Sequence, residues 1–95
     1  MIKETWTNEK TTELFKAVLS LKTVEECENF FRDLCTLEEI DGMTKRWQIA
    51  KMLYQDKPYR DIAKELEVSS TTVSRVAQWL HHGNAGYMSV LRKIK

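Results

Sequence analysis

Ninety-five residues with 42% hydrophobic and 31% charged side chains, three glycines and one proline describe one folded, mostly helical domain and exclude a disordered chain. Charges interrupt the apolar residues everywhere, which excludes a membrane span; the opening Met1-Ile2-Lys3-Glu4-Thr5-Trp6 lacks a signal peptide's apolar core, so a cytoplasmic protein is expected. Net charge is only +1, but residues 1–42 hold five Lys/Arg against ten Asp/Glu (net −5) and residues 43–95 hold ten against four (net +6), a split that suggests a nucleic-acid-facing end and an end facing elsewhere.

Residues 1–6 are expected to fray, with Trp6 free to dock on a partner surface. A first helix is predicted from near Thr7 to about Leu21, with Leu14, Phe15, Val18 and Leu21 at helical spacing. Thr23-Val-Glu-Glu26 has the form of a capping box, in which the threonine caps a backbone N–H and the glutamate reaches back. It opens a second helix whose Val24, Cys27, Phe30, Phe31 and Leu34 make an apolar stripe. A second box, Thr36-Leu-Glu-Glu39, opens a third helix running to about Gln55, with Cys35 and Ile40 as its hydrophobic staple. Its expected inner set is Leu37, Ile40, Met43, Trp47, Ala50, Leu53 and Tyr54, and Gly42 suggests a close helix crossing. Asp56-Lys57-Pro58 ends it, and Pro58 suits the first turn of a fourth helix.

Tyr59 to Leu80 reads as a helix-turn-helix. Ile62, Ala63 and Leu66 form one apolar strip, Val73, Val76 and Leu80 a second, and Val68 plugs the angle between them. Ala63 is small where the helices should cross. Glu67 stands where a turn glycine is common, so a left-handed conformation there would carry strain. Ser69 can cap the next helix, whose outward face carries Thr71, Ser74, Arg75 and Gln78, side chains suited to base edges and phosphates. Gly83 is expected to stop that helix in the left-handed conformation, Asn84-Ala85-Gly86 to bend the chain, and Tyr87 to Ile94 to form a last short helix with Tyr87, Val90, Leu91 and Ile94 inward.

Cys27 and Cys35 read as reduced, buried small hydrophobes. No metal site or cofactor is expected, since closely paired ligands such as a Cys-x-x-Cys are missing. Helices 1 to 3 carry large aromatics over more than one face, more than one small protomer can cover, and such surface normally marks association. A two-fold dimer would match the two-fold axis relating half-sites of duplex DNA.

The N-terminal helices, the Cys35-Thr-Leu-Glu-Glu39 helix, the Val68-Ser-Ser-Thr-Thr-Val-Ser-Arg-Val76 run and the closing His82-Gly-Asn-Ala-Gly-Tyr87 segment together resemble the Trp repressor family, in particular its YerC/YecD-like branch. The likeness to the Trp repressor is best over residues 34–80. It implies an all-α, six-helix fold, an intertwined homodimer whose second motif helix enters the major groove. Residues 7–56 would supply dimerisation helices, 58–80 the helix-turn-helix and 87–95 the C-terminal helix. By position, Arg60 falls where the family has a DNA-contacting arginine, and Thr71, Thr72, Ser74 and Arg75 fall on the recognition helix; Tyr59 and Ser70 are phosphate-contact candidates. The effector site carries over less well. Of the two arginines that sandwich free tryptophan in the Trp repressor, one corresponds to Arg75 and the other to Lys45, which lacks a planar stacking face. Val76 replaces a glycine and Trp79 a serine, bulk that should shrink or close the pocket. Lys45, Arg75, Val76 and Trp79 are thus the candidate effector pocket. L-tryptophan is disfavoured there, a different small effector stays open, and Trp79 could itself fill the vacated space.

Three function classes compete. The first is a sequence-specific DNA-binding transcription regulator, a repressor by resemblance, acting on double-stranded DNA. The second keeps the fold as a protein-interaction module, with salt dependence as the discriminator. An enzyme is the weakest, because the chain has no Gly-x-Ser-x-Gly elbow, no phosphate-cradling glycine loop and no His-Glu-x-x-His pair.

Overall fold

The computed structural model describes residues 6–94. Six α-helices follow one another, α1 Glu9–Leu19, α2 Val24–Leu34, α3 Leu37–Tyr54, α4 Tyr59–Leu66, α5 Ser70–His82 and α6 Gly86–Lys93, with no strand among the described residues. The expectation of fraying over residues 1–5 lies outside the described residues, as does Lys95 at the end of the expected C-terminal element. The chain divides into two compact units, residues 1–37 and 38–95.

The first unit is shaped by its caps. Asn8 Oδ1 accepts from the backbone N–H groups of Lys10 and Thr11 at 2.9 and 3.0 Å, and Thr11 Oγ1 accepts from Asn8 N at 2.8 Å. That reciprocal box starts α1 at Glu9, two residues after the expected Thr7. The helix also ends early, at Leu19, where the Ser20 hydroxyl donates to the Ala17 carbonyl at 2.6 Å and competes with helical continuation. The Thr23 box forms as expected: Glu26 N donates to Thr23 Oγ1 at 3.0 Å, and Glu26 Oε1 accepts from Thr23 N and Lys22 N at 3.2 and 2.7 Å. Trp6 sets its ring edge-on to Phe15, 6.1 Å between centroids, so it docks on its own chain. Neither α1 nor α2 buries a single residue. Cys27 and Cys35 are free thiols, half-buried and not buried.

The second unit holds the core. Ile49, Ala50 and Met52 of α3, Ile62 of α4, Val73, Val76 and Leu80 of α5 and Leu91 of α6 form one buried cluster. Trp47, Leu53, Ala63, Leu66, Val68, Tyr87 and Met88 pack around it. Of the strips expected on the motif helices, Ile62, Val73, Val76 and Leu80 are buried and Ala63 and Leu66 pack half-buried against them. The inner face of α3 is different from the expected one. Ile49 and Met52 are buried, while Leu37 and Tyr54 are exposed and only Ala50 of the expected set is fully inside. Apolar residues lie all round α3, so its periodicity alone does not say which face meets α4 to α6. Gly42 marks no close helix crossing among the described residues: the nearest atom to a Cβ placed there belongs to the Arg46 side chain, at 3.4 Å.

Three non-glycine residues with positive φ shape the bends. Asp56 (φ 61°) turns the chain out of α3, with Lys57 N donating to the Met52 carbonyl at 3.1 Å. Pro58 then stands one residue before α4, at the N-cap with ψ 143°, and not in its first turn as expected; its carbonyl accepts the first helical bond, from Ile62 N at 3.1 Å. Glu67 takes the left-handed conformation (φ 55°, ψ 47°). Its neighbour Val68 donates back to Ala63 O at 3.0 Å and Glu67 itself to Lys64 O at 3.4 Å, the two bonds of a Schellman motif.

Gly83 overturns its expectation. It is not left-handed (φ −86°, ψ −147°), and Ala85 (φ 64°) makes the left-handed bend into α6 instead. Glycine is needed at 83 for space, because a Cβ there would collide with the Trp79 backbone carbonyl. In α6 only Leu91 is buried; Val90 and Ile94, expected inward, are exposed. One face of α6 fills the core against α5, and Val90 beside it stays exposed.

Candidate nucleic-acid interface

The second motif helix is presented by a chain of local causes. Val68 leaves the Glu67 turn half-buried, and Ser69 adopts an extended conformation (φ −74°, ψ 155°) that aims its side chain back at the helix. Ser69 Oγ accepts from Thr72 N at 3.0 Å and lies 2.9 Å from the Thr72 hydroxyl. This satisfies one of the N–H groups that every helix start leaves open. Burial of Val73, Val76, Ala77 and Leu80 then fixes the rotation of α5. The opposite face must point outward: Ser70, Thr71, Ser74, Arg75 and Gln78 are all exposed, and 71, 74, 75 and 78 lie on one side at helical spacing. No acidic residue occupies the first turn of α5, so its positive dipole end is uncompensated, as suits an approaching phosphate.

Tyr59 and Arg60 are exposed in the first turn of α4, and Lys57 and Lys64 are exposed nearby in sequence. Seven of the eight sequence-predicted contact residues are thus on the surface. Thr72 departs from the rest. It is half-buried, its hydroxyl is tied to Ser69, and it faces a cavity.

That cavity, about 240 Å³, is lined by Gly42, Lys45 and Arg46 of α3, by Val68, and by Thr72, Arg75, Val76 and Trp79 of α5. It brings together all four expected effector-pocket residues. Its volume falls below the roughly 300–1,000 Å³ of typical small-molecule sites. Val76 is fully buried while Trp79 is half-exposed. Lys45 Nζ pairs with Asp41 at 3.2 Å, one helical turn back. Sequence reasoning missed Arg46 and Gly42 as lining residues. The signal was present in the register, since 42, 45 and 46 share one side of α3 as 72, 75, 76 and 79 share one side of α5.

The Trp repressor protein family model matches residues 9–95, nearly the whole described chain. This chain belongs to the Trp repressor family. Within the family, it is 42% identical over 83 residues to an uncharacterized protein, YerC, of Bacillus subtilis, a match spanning 87% of this chain and 80% of that one. A TrpR-like protein from Eubacterium eligens superimposes with a TM-score of 0.87 at 41% identity, covering 90% of this chain and 89% of its own. A structure from Staphylococcus aureus gives the same TM-score at 41% identity over 92% of this chain and 87% of that chain. The chain is therefore a YerC-like Trp repressor relative with the six-helix, all-α architecture its sequence implied. No helix among the described residues is long and apolar enough to cross a membrane.

Proposed function

We propose that this protein is a sequence-specific DNA-binding transcription regulator, a repressor in its simplest form, that grips a palindromic operator as a homodimer. One Trp-repressor-like domain would serve both tasks, with residues 7–56 dimerising, 58–80 forming the helix-turn-helix and 87–95 the closing helix. The observation that carries the reading is the exposed Thr71, Ser74, Arg75 and Gln78 face of a helix whose other side is locked into the core. Arg75 and Arg60 would make charge-assisted contacts, Thr71, Ser74 and Gln78 would tune base choice, and Tyr59 and Ser70 would hold phosphates. Thr72 supports them through the Ser69 cap. The basic balance of residues 43–95 favours this reading over a protein-interaction module. Membership of a repressor family supports a regulator and not an enzyme, and a cytoplasmic protein fits both.

The test is selection of bound fragments from a genomic DNA pool at moderate salt, with Arg75→Ala as control. A short palindrome should be enriched, and the variant should bind it about 1–3 kcal/mol more weakly if Arg75 reads a guanine. No enrichment by the wild-type protein argues for a required effector or for the interaction module, and an equal profile from the variant removes Arg75 from the base contacts. For the Lys45, Arg75, Val76, Trp79 pocket, we expect saturating L-tryptophan to leave DNA affinity unchanged. The cavity is small, Val76 and Trp79 add bulk, and Lys45 is engaged by Asp41. A tenfold gain in affinity on adding L-tryptophan would show that the pocket keeps that effector.

A further inference from the structure

The outward face of α5 does not stop at Gln78. At 3.6 residues per turn, positions 71, 74, 75, 78 and 82 fall within about 100° of one another, and 81 lies at the edge of the same stripe. The buried Val73, Val76, Ala77 and Leu80 lie on the other side. His81 and His82 therefore prolong the polar face into the last turn of the helix, and both are exposed. Their ring centroids are 6.4 Å apart, near enough for one phosphate group to be held between the two imidazoles. Along the axis the stripe from Thr71 to His82 extends about 16 Å, more than the roughly 12 Å width of the major groove. A helix that sets Thr71 to Arg75 against base edges thus carries its last turn to the sugar-phosphate wall of the groove.

The C-terminal end of a helix is by itself a poor place for a phosphate, because its unpaired carbonyls give it a negative field. Two neutral imidazoles leave that field in place. Two imidazolium ions reverse it and offer N–H donors to phosphate oxygens. Histidine is the side chain whose charge changes between about pH 5 and 8, so this end of α5 turns from repelling DNA to attracting it as protons bind. The surroundings favour the attraction. The other charge on α5 is Arg75, and α6, packed against it, carries Arg92 and Lys93; neither helix contains an Asp or Glu. On α4, also packed against α5, Asp61 and Glu65 stand beside Arg60 and Lys64, with Glu67 at the C-cap. Across the small cavity α3 presents Lys45 and Arg46. No carboxylate among the described residues forms an ion pair with either histidine. The protonated rings therefore gain an ionic partner when an anion arrives, and not before.

We infer that His81 and His82 are a further DNA contact of this protein, holding a backbone phosphate in their protonated form, so that DNA binding tightens as pH falls. The inference rests on the DNA-binding reading and deepens it by placing a phosphate contact at the far end of the recognition helix and naming the condition under which it forms. Phosphate contacts fix orientation without reading sequence, so the effect belongs equally to an operator and to unrelated DNA.

Fluorescence anisotropy of the full chain tests this with two labelled duplexes, one bearing the enriched palindrome and one of unrelated sequence, at about pH 5.5 and about pH 8. The wild-type chain should bind both about tenfold more tightly at the lower pH, the worth of one exposed charge-assisted hydrogen bond. Its salt dependence there should be steeper by about one phosphate contact per chain. A chain with His81→Gln and His82→Gln should bind at the weaker level at both pH values, and one with His81→Lys and His82→Lys at the tighter level at both. A glutamine variant whose binding still tightens as pH falls overturns the inference. So does a wild-type affinity that is the same at both pH values while the thermal midpoint moves, since the histidines then only steady the helix end. Either result leaves the DNA-binding reading in place. A wild-type chain that binds neither duplex at either pH overturns that reading and this inference together.

Discussion

At Glu67 the backbone is left-handed in the turn on which the motif depends. A side chain with a Cβ meets the following carbonyl in that region at a cost of roughly 1–2 kcal/mol, which glycine avoids. The Schellman bonds and the packing of Val68 hold the turn despite that cost. Glu67→Gly should therefore stabilise the protein by about 1 kcal/mol, after allowing for glycine's larger unfolded-state entropy. Urea denaturation reads this directly, and a loss of stability would mean that the Glu67 side chain contributes more than its backbone costs. Gly83 teaches the opposite lesson. Its place was legible in the sequence but its reason was not, because the Trp79 carbonyl that excludes a Cβ comes close only once α5 has ended.

For the elements, the motif helices were the most legible part of the chain. Ile62, Val73, Val76 and Leu80 recur at helical spacing on short helices with one apolar face each, and all four are buried. Ile62 is fully buried between α4 and the rest of the core, so Ile62→Ala should cost about 2–5 kcal/mol. Thermal unfolding would show it as a large fall in midpoint, and DNA binding should be lost with the fold and not before it. The helix α3 was less legible. Its apolar residues surround it, and the face that contacts α4 to α6 centres on Ile49, Ala50 and Met52, whereas Trp47 is only partly buried against the core and Tyr54 is exposed. The start of α1 moved because Asn8, and not the residue before it, closes a capping box with Thr11.

Over the whole molecule, the charge split decides what net charge conceals. A chain of net +1 would be a poor candidate for DNA, yet its C-terminal half carries ten basic side chains. Phosphate binding releases counterions, so affinity should fall steeply with salt, with a log–log slope near −0.9 per phosphate neutralised. Arg60→Ala should make that slope shallower by about one contact and weaken binding to every sequence alike. A fluorescence-anisotropy salt titration of both proteins measures it; an unchanged slope would remove Arg60 from the phosphate contacts.

The sequence by itself determined the helices, the caps at Thr23 and Ser69, the polar outward face of α5 and the family, because these rest on contacts within a few residues or on a pattern repeated along one helix. The tertiary structure alone decided which sides of α3 and α6 are interior and that Arg46 and Lys45 lie with Arg75 at one cavity. Those facts depend on groups distant in the chain meeting in space, and periodicity fixes a helix's stripes without saying which neighbour each stripe will meet.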